Sequence, residues 1–357
     1  MVRVTGNFRK ESPLHPKAEA ALLAAFEAGW ADPRKLSSSS SKAHHMRQEA
    51  LESIAHQLSL RSDEIEILGE PLLGHFLSIA GLATSPTTKI FYSATSRSEV
   101  IATARSFIPI ELPVNIHGNI ASSPTSDTGI LSLQIANGES GNITHADELS
   151  KNFPECLIAC DSTATPDASL LPSRWDSALF DSGSWSGPSG IGILAIRNSK
   201  AWKNPLPHIG ISRVPQSYSL PLLLSSVVAL EAWKAEAAED VRLRELSKEL
   251  RSRIAASITD CDIAGELDSS LSNINSFSFL YCHGEELLRE LSIRGFDLDS
   301  GSACTSDDLA PSHVLAAMGL LTHGNIRVTI HRGTTREEID SLGSAIIESV
   351  AQMRANN

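Results

Sequence analysis

The sequence lacks three features: there is no lysine between Lys151 and Lys200, no long apolar run and no excess of positive charge. The net charge of −12 argues against nucleic acid and anionic lipid as partners, because both need a basic face. The richest apolar stretch, residues 220–233, is interrupted by Pro221 and Glu231. We therefore expect no membrane span.

Cysteine is also sparse. The five cysteines are an odd number at irregular spacing, which favours a reducing compartment over a disulfide framework. Residues 1–12 contain charges but no apolar run, so we expect no signal peptide. The predicted location is the cytoplasm.

The remaining composition is that of an ordinary globular protein, with 41% hydrophobic and 20% charged residues. Helical periodicity alternates with short β-branched runs that are apolar almost throughout. This pattern predicts an α/β fold around a mostly parallel sheet. Helices are predicted at 15–29, 42–58, 98–107, 145–152, 219–257, 284–294, 312–319 and 335–353. Strands are predicted at 64–68, 89–94, 130–136, 157–161, 191–197, 275–281 and 325–331.

Two domains are expected from a change in this pattern. Residues 15–232 form the predicted large α/β domain, while residues 1–14 and 233–357 form a small α+β domain. The five consecutive serines of 37–41 predict a solvated loop. Thr335 and Glu338 have the spacing of a capping box for the last helix.

The C-terminal third contains a motif that resembles a known family. Residues 300–306 read Ser-Gly-Ser-Ala-Cys-Thr-Ser, similar to the S-G-S-[AS]-C-T-S loop of group I cysteine desulfurases, and 311–315 and 325–327 follow at the family's spacing. Residues 13–16 and 29–33 resemble the opening of actinobacterial members. The resemblance implies the class V aminotransferase fold, pyridoxal 5'-phosphate as the parent family's cofactor, and usually a homodimer with its active site at the subunit boundary.

The lysine-free segment includes the turn that resembles the family's cofactor-binding turn. Residues 180–192 resemble the pattern S-x-H-K-x-x-G-P-x-G-[IV]-G, and alignment on residues 187–188 and 190–192 places Ser184 at the lysine and Gly183 at the histidine. A hydroxyl cannot form the imine through which such enzymes hold their cofactor. Lys200 and Lys203 follow the next predicted strand and would have to fold back. We therefore expect no covalently bound cofactor.

Other positions implied by the resemblance are also altered. The histidine that stacks on the cofactor ring corresponds to Arg97, whose fixed charge disfavours a protonated pyridine. The phosphate-binding turn corresponds to residues 68–73, where Pro71 removes a backbone donor and Glu70 adds repulsion. Asp161, the partner of the pyridine nitrogen, is kept, although the nearby glutamine has become Ala164.

Four further positions are retained according to the resemblance. Asn137 corresponds to the residue near the cofactor's phenolic oxygen, and Ser219 to the hydroxyl lent to the neighbouring subunit's phosphate. Arg327 corresponds to the arginine that binds the substrate carboxylate. Cys304 corresponds to the cysteine that accepts sulfur as a persulfide.

Structural roles remain open for several of these residues. Cys304 could be a small buried residue, and neighbouring aspartates oppose thiolate formation. Arg327 could pair with a carboxylate of the small domain, and Asp161 could be a turn residue. Cys156 and Cys160 face the same way on a predicted strand, where core positions are favoured over a ligand pair. No metal motif is present.

Three functions follow from these patterns. The first is a pseudoenzyme that acts as a homodimer, as the partner of an active paralogue, or as a sulfur relay through Cys304 to an acceptor protein. The second is an active cysteine desulfurase, which converts L-cysteine to L-alanine and a protein persulfide. The third is a binding module for a small anion, in which Arg97 and Arg327 supply the positive charge.

Overall fold

The computed structural model describes residues 6–29, 31–210, 212–301 and 311–356. Alternating helices and strands dominate this part of the chain. The helices are α1 Pro16–Ala28, α2 Ser38–Gln57, α3 Pro71–Ala80, α4 Ser98–Arg105, α5 Ala146–Lys151, α6 Leu220–Ala235, α7 Glu239–Ser257, α8 Gly284–Ile293, α9 His313–Met318 and α10 Arg336–Asn356. The strands are β1 Gly6–Asn7, β2 Ile65–Leu68, β3 Lys89–Ser93, β4 Ile108–Leu112, β5 Gly129–Gln134, β6 Cys156–Asp161, β7 Ser177–Asp181, β8 Gly192–Ile196, β9 Cys261–Ile263, β10 Ile274–Phe279, β11 Phe296–Asp297 and β12 Asn325–Thr329.

A seven-stranded sheet forms the centre of the larger part, in the order β2-β8-β7-β6-β5-β3-β4. Only β8 runs against its neighbours in this sheet. Helices α1, α2 and α6 pack on one face through a core that includes Leu51, Ile54 and Leu230. Helices α3 and α4 cover the other face through Leu77 and Val100. The predicted α/β fold with a mostly parallel sheet is confirmed.

A second core surrounds the antiparallel sheet β12-β10-β9. Helices α7, α8 and α10 pack on it, and Phe277, Phe279 and Ile346 lie at its centre. The start of the chain joins this core, because β1 pairs in parallel with β11 and Phe8 is buried beside Phe296. The domain division at residue 232 stays a prediction.

Two local expectations about helix limits are wrong. Residues 38–41 form the first turn of α2 instead of a loop, because the Ser37 hydroxyl accepts a hydrogen bond from the Ser40 amide at 3.1 Å. Serine is a favourable N-cap, so a serine run starts this helix. The stretch 219–257 is two helices, separated by a break at residues 236–238.

Sequence patterns missed helix α3 and the strands β1, β4, β7, β9 and β11. Helix α3 begins at Pro71, and proline is tolerated at the first helical position, where its missing donor is not needed. The capping box before α10 is confirmed: the Thr335 amide donates to Glu338 at 2.7 Å, and the Glu338 amide donates to Thr335 at 3.2 Å. None of the described helices is long and apolar enough to cross a bilayer.

Candidate active-site cleft

Several of the predicted site residues meet at the carboxyl ends of the central strands. Asp161 ends β6, Asn137 follows β5 and Arg97 lies between β3 and α4. The carboxyl edge of a parallel sheet is the usual position of a ligand site in α/β folds. We use the word cleft for these three residues together with Ser184 and Arg327.

Asp161 is buried and surrounded by groups that favour its charge. One carboxylate oxygen accepts hydrogen bonds from the Thr163 amide at 3.0 Å and from its hydroxyl at 2.6 Å. The other oxygen lies 3.4 Å from Arg97 Nε and 3.9 Å from His75 Nδ1. Burial alone would raise the pKa of Asp161, but His75, Arg97 and Thr163 outweigh it and hold the pKa below its ordinary value. Asp161 is therefore a turn-forming residue and also the anion of a buried ion pair.

Asn137 is occupied by contacts within the protein. Its amide nitrogen donates to the Thr95 carbonyl at 3.0 Å and to Gln134 at 3.1 Å. Its amide oxygen accepts the backbone N–H groups of Glu139 and Ser140, both at 2.8 Å. These bonds fix the turn after β5.

Ser184 lies in a short 3₁₀ turn after β7. Asp181 caps this turn by accepting the Gly183 amide at 2.9 Å, and the Ser184 hydroxyl donates to the Asp181 carbonyl at 2.8 Å. The turn closes at Ser186, which has a positive φ of 57°. The Ser184 hydroxyl therefore completes the turn through a local hydrogen bond.

The turn at residues 68–73 contains its own carboxylate. Glu70 caps α3 by accepting the Leu72 amide at 3.1 Å, and Pro71 follows at the first helical position. An anion at this helix N-terminus would meet a negative charge and one donor fewer. A Cβ on Gly69 would lie 2.1 Å from the Ser217 carbonyl oxygen, so the backbone at 217–218 lies directly over the turn.

Arg327 is held by a carboxylate, as the structural interpretation of this residue proposed. Its guanidinium lies 2.8 Å from Asp299, which also accepts the Lys10 backbone N–H at 2.6 Å. Ser219 directly precedes α6 and lines a separate cavity of about 980 Å³, together with Arg34, Arg47 and other residues.

Cys304 lies outside the described residues, so its predicted role stays a prediction. Residues on either side of it form hydrogen bonds with other parts of the protein. The Gly301 amide donates to Asn325 at 2.6 Å, and the Ser312 hydroxyl donates to Glu139. Burial raises the pKa of Glu139, against the opposing effects of Ser312, Arg327 and His313.

Lys10 was not singled out from the sequence. Its backbone N–H donates to Asp299 at 2.6 Å, and Asp299 also pairs with Arg327. The expectation about lysine concerned only the neighbourhood of Ser184. No local pattern places this segment beside Arg327, because its position depends on the pairing of β1 with β11.

Cys156 and Cys160 are both buried core residues on β6. Burial raises the pKa of the Cys156 thiol to about 11 and that of Cys160 well above its ordinary value. Neutral thiols are poor metal ligands and poor nucleophiles. Within the described ranges, no group of three or more His, Cys, Asp or Glu side chains is arranged to hold a metal ion.

Comparison with known proteins agrees with this architecture. The family model for aminotransferase class-V matches residues 112–342. A cysteine desulfurase from Nostoc sp. is 32% identical over 263 residues, which cover 68% of this chain and 65% of that protein. Cysteine desulfurase IscS from Dictyoglomus turgidum is 30% identical over 318 residues, which cover 82% of this chain and 80% of the relative.

Solved structures share the whole fold at lower identity. A structure described as a NIFS-like protein has a TM-score of 0.85 and 21% identity, covering 98% of this chain and 100% of its own. DndA from Streptomyces lividans has a TM-score of 0.71 and 22% identity, covering 88% and 96%.

The fold and the matched model place the chain in the aminotransferase class-V family. Within that class, the chain belongs to the cysteine desulfurase family. The family depends on pyridoxal 5'-phosphate. The aligned region spans 65% of the Nostoc relative's length.

The residues described above do not fit pyridoxal phosphate as the family resemblance would place it. Ser184 supplies a hydroxyl where the resemblance places an amine. The α3 N-terminus is capped by Glu70 and covered by the 217–218 backbone. Arg97 already provides a cation beside Asp161.

Proposed function

We propose that this protein is a cysteine desulfurase family member that has lost pyridoxal chemistry and acts as a subunit partner or a sulfur relay. The observation that supports this most directly is the hydrogen bond from the Ser184 hydroxyl to Asp181, in a segment without lysine. A hydroxyl used in this way offers neither the imine-forming nitrogen nor the proton-shuttling amine that the parent chemistry requires.

The Arg97–Asp161 pair supports the same proposal independently. A buried carboxylate needs a compensating positive group, and the pyridinium nitrogen would provide one in the parent family. In this chain the guanidinium 3.4 Å away compensates the charge. The protein can therefore keep Asp161 ionised without the cofactor.

Two retained positions define what the protein would do without pyridoxal chemistry. Ser219 would complete the phosphate site of a paralogue that contains lysine, and Cys304 would receive sulfur from that paralogue and pass it to an acceptor protein. Both roles require a dimer, either with a second copy or with the paralogue.

Persulfide labelling tests this function. Purified protein is incubated with L-cysteine, with and without added pyridoxal phosphate, beside Cys304→Ser as the matched control. We expect no label from the protein alone, and label on Cys304 only after an active paralogue is added. Cysteine-dependent label on Cys304 with pyridoxal phosphate alone would establish an active desulfurase instead.

A further inference from the structure

A cavity of about 290 Å³ lies where the two cores of the molecule meet. Trp233 and Leu170 line it on the side of the large core, and Leu243 and Ile330 line it on the side of the small core. Of the cleft residues, Ser184 alone also lines it. We call this space the junction cavity, and its volume suits a small molecule.

Helix α7 supplies two opposite charges to the junction cavity. Asp240 and Arg244 both line it, and they lie four residues apart, on one face of the helix. An acid and a base at this spacing ordinarily pair with each other. Arg244 instead donates to the backbone carbonyls of Leu267 and Ser270, the latter at 3.2 Å. Within the part of the chain that the structure describes, neither Asp240 nor Arg244 belongs to an ion pair.

The other charged residues of the junction cavity are engaged within the protein. Arg332 pairs with Glu236 at 3.3 Å. Asp167 accepts the Ser169 amide at 3.1 Å and the Ser169 hydroxyl at 2.7 Å. Both ring nitrogens of His331 lie within hydrogen-bond distance of protein oxygens. One carboxylate and one guanidinium, both without an ion-pair partner, therefore line the same space.

The charge of Asp240 is incompletely compensated. Burial raises the pKa of Asp240 and Asp167 adds to this effect, against the opposing effects of Arg332, Arg244 and the Ser272 hydroxyl. A ligand ammonium group beside Asp240 would supply the missing positive charge. The Arg244 guanidinium has further N–H donors besides those bonded to the backbone, and it can bind a carboxylate. Equal and opposite free charges favour a zwitterion over a simple anion.

We propose that the junction cavity binds an α-amino acid with an apolar side chain, in its zwitterionic form. The ligand ammonium group donates to Asp240, and the ligand carboxylate accepts from Arg244. The apolar side chain of the ligand packs against Trp233 and the neighbouring leucines. This site does not depend on the proposed loss of pyridoxal chemistry, because neither Asp161 nor Arg97 lines the junction cavity.

Calorimetric titration of the full chain tests the inference. L-leucine and L-valine are the probes, and two analogues of leucine each lack one charge: 4-methylpentanoate has no ammonium group, and 3-methylbutylamine has no carboxylate. We expect saturable binding of at least one amino acid. Each analogue should bind at least about tenfold more weakly than leucine, because it leaves one charge of the cavity without a partner.

Two variants of α7 locate the binding. Asp240→Asn keeps the shape of the side chain and should weaken amino-acid binding at least about tenfold. The matched control is Glu239→Gln, which changes the preceding carboxylate, pairs with Arg242 at 2.8 Å in the wild type and does not line the cavity. The control should bind like the wild type. Urea unfolding of both variants verifies that each is folded at the titration temperature.

Three results would overturn the inference. The first is no saturable binding of either amino acid, and the second is equal binding of leucine and 4-methylpentanoate, which would indicate a site for simple anions. The third is full binding by Asp240→Asn together with loss of binding in Arg327→Gln, which would place the ligand at the cleft. Persulfide labelling of Cys304 is measured separately, so this inference and the proposed function can fail independently.

Discussion

At the scale of single residues, two charged side chains of the cleft neutralise each other. Arg97 Nε and Asp161 Oδ2 lie 3.4 Å apart, and both atoms are buried without a hydrogen-bond partner among the described residues. Each group is thus acceptable in the protein interior because of the other. A test that changes one of them should reveal this dependence.

Asp161→Asn should destabilise the fold by about 3 kcal/mol near pH 7, because it leaves Arg97 and His75 without their buried anion. The folded-state pKa of Asp161 lies below its ordinary value. Its contribution is therefore present above the unfolded-state pKa and is lost as the pH falls through the folded-state pKa. Urea unfolding from pH 7 into acid should show the difference between wild type and variant shrinking.

The control for that experiment is Asp340→Asn, which changes a pair with Arg253 whose Asp340 side chain is 64% exposed. An exposed pair contributes less than about 1 kcal/mol. Equal losses of unfolding free energy in the two variants would show that the Asp161 pair contributes no more than an exposed pair.

Ser184→Lys alone should not create a cofactor-binding protein. The new amine would still face an α3 N-terminus that Glu70 caps and a carboxylate that Arg97 occupies. We expect no visible cofactor absorbance after incubation with pyridoxal phosphate and gel filtration. The matched variant combines Ser184→Lys with Glu70→Ala and Arg97→His. Stoichiometric binding of pyridoxal phosphate by Ser184→Lys alone would refute the expectation.

At the scale of secondary structure, element type followed from sequence where apolar periodicity was strong. The buried strands β5, β6 and β8 lie where the apolar runs predicted them, within one or two residues. The loop predicted for the serine run was wrong because composition alone favours a loop, whereas the Ser37 hydroxyl caps the start of α2. Strand β7 was missed because its sequence, Ser-Ala-Leu-Phe-Asp, has few β-branched residues, and neighbouring strands on both sides determine its conformation instead.

The N-cap of α2 gives a direct test. Ser37→Ala removes the hydroxyl that accepts the Ser40 amide and should cost about 1 kcal/mol. Ser38→Ala, one residue into the helix and exposed, is the matched control and should be nearly neutral. Chemical unfolding of both variants, with an unchanged dependence on denaturant, measures the difference in the free energy of unfolding. An unchanged free energy of unfolding in Ser37→Ala would show that the cap contributes nothing.

The end of α3 offers a second test at this scale. A Cβ on Gly81 would lie 2.0 Å from Trp202 Nε1, which donates to the Leu77 carbonyl at 3.0 Å. Gly81→Ala should therefore cost about 2 kcal/mol through overpacking and the loss of this buried hydrogen bond. Gly333→Ala, where no atom lies within 4 Å of the added carbon, should leave the melting temperature almost unchanged. Similar melting temperatures for both variants would contradict the tight packing.

At the scale of the whole molecule, the N-terminal segment packs against the C-terminal part of the chain: residues 6–8 form backbone hydrogen bonds with residues near 295–297 and with Thr329. The fold class, the mostly parallel sheet and the C-terminal capping box could be predicted, because each depends on local pattern. Lys10 could not be placed by local pattern, because its position depends on pairing across nearly 290 residues. Of the positions implied by family resemblance, Asp161 and Arg97 lie 3.4 Å apart, but their bonding partners could not be read from sequence.

Phe8→Ala should show how the start of the chain supports the whole. Phe8 is 1% exposed in the small core, so its truncation should cost about 3–5 kcal/mol. The measurement is urea unfolding near pH 7. Unchanged stability would show that the start of the chain is held in place without this side chain.

The ion pair between Arg97 and Asp161 also couples several positions of the cleft. Arg97→His would leave Asp161 near a weaker counter-charge, and Ser184→Lys would gain nothing while Glu70 caps α3. Single substitutions toward the family pattern therefore bring a loss or no benefit. A change in the chemistry of this site requires several substitutions made together.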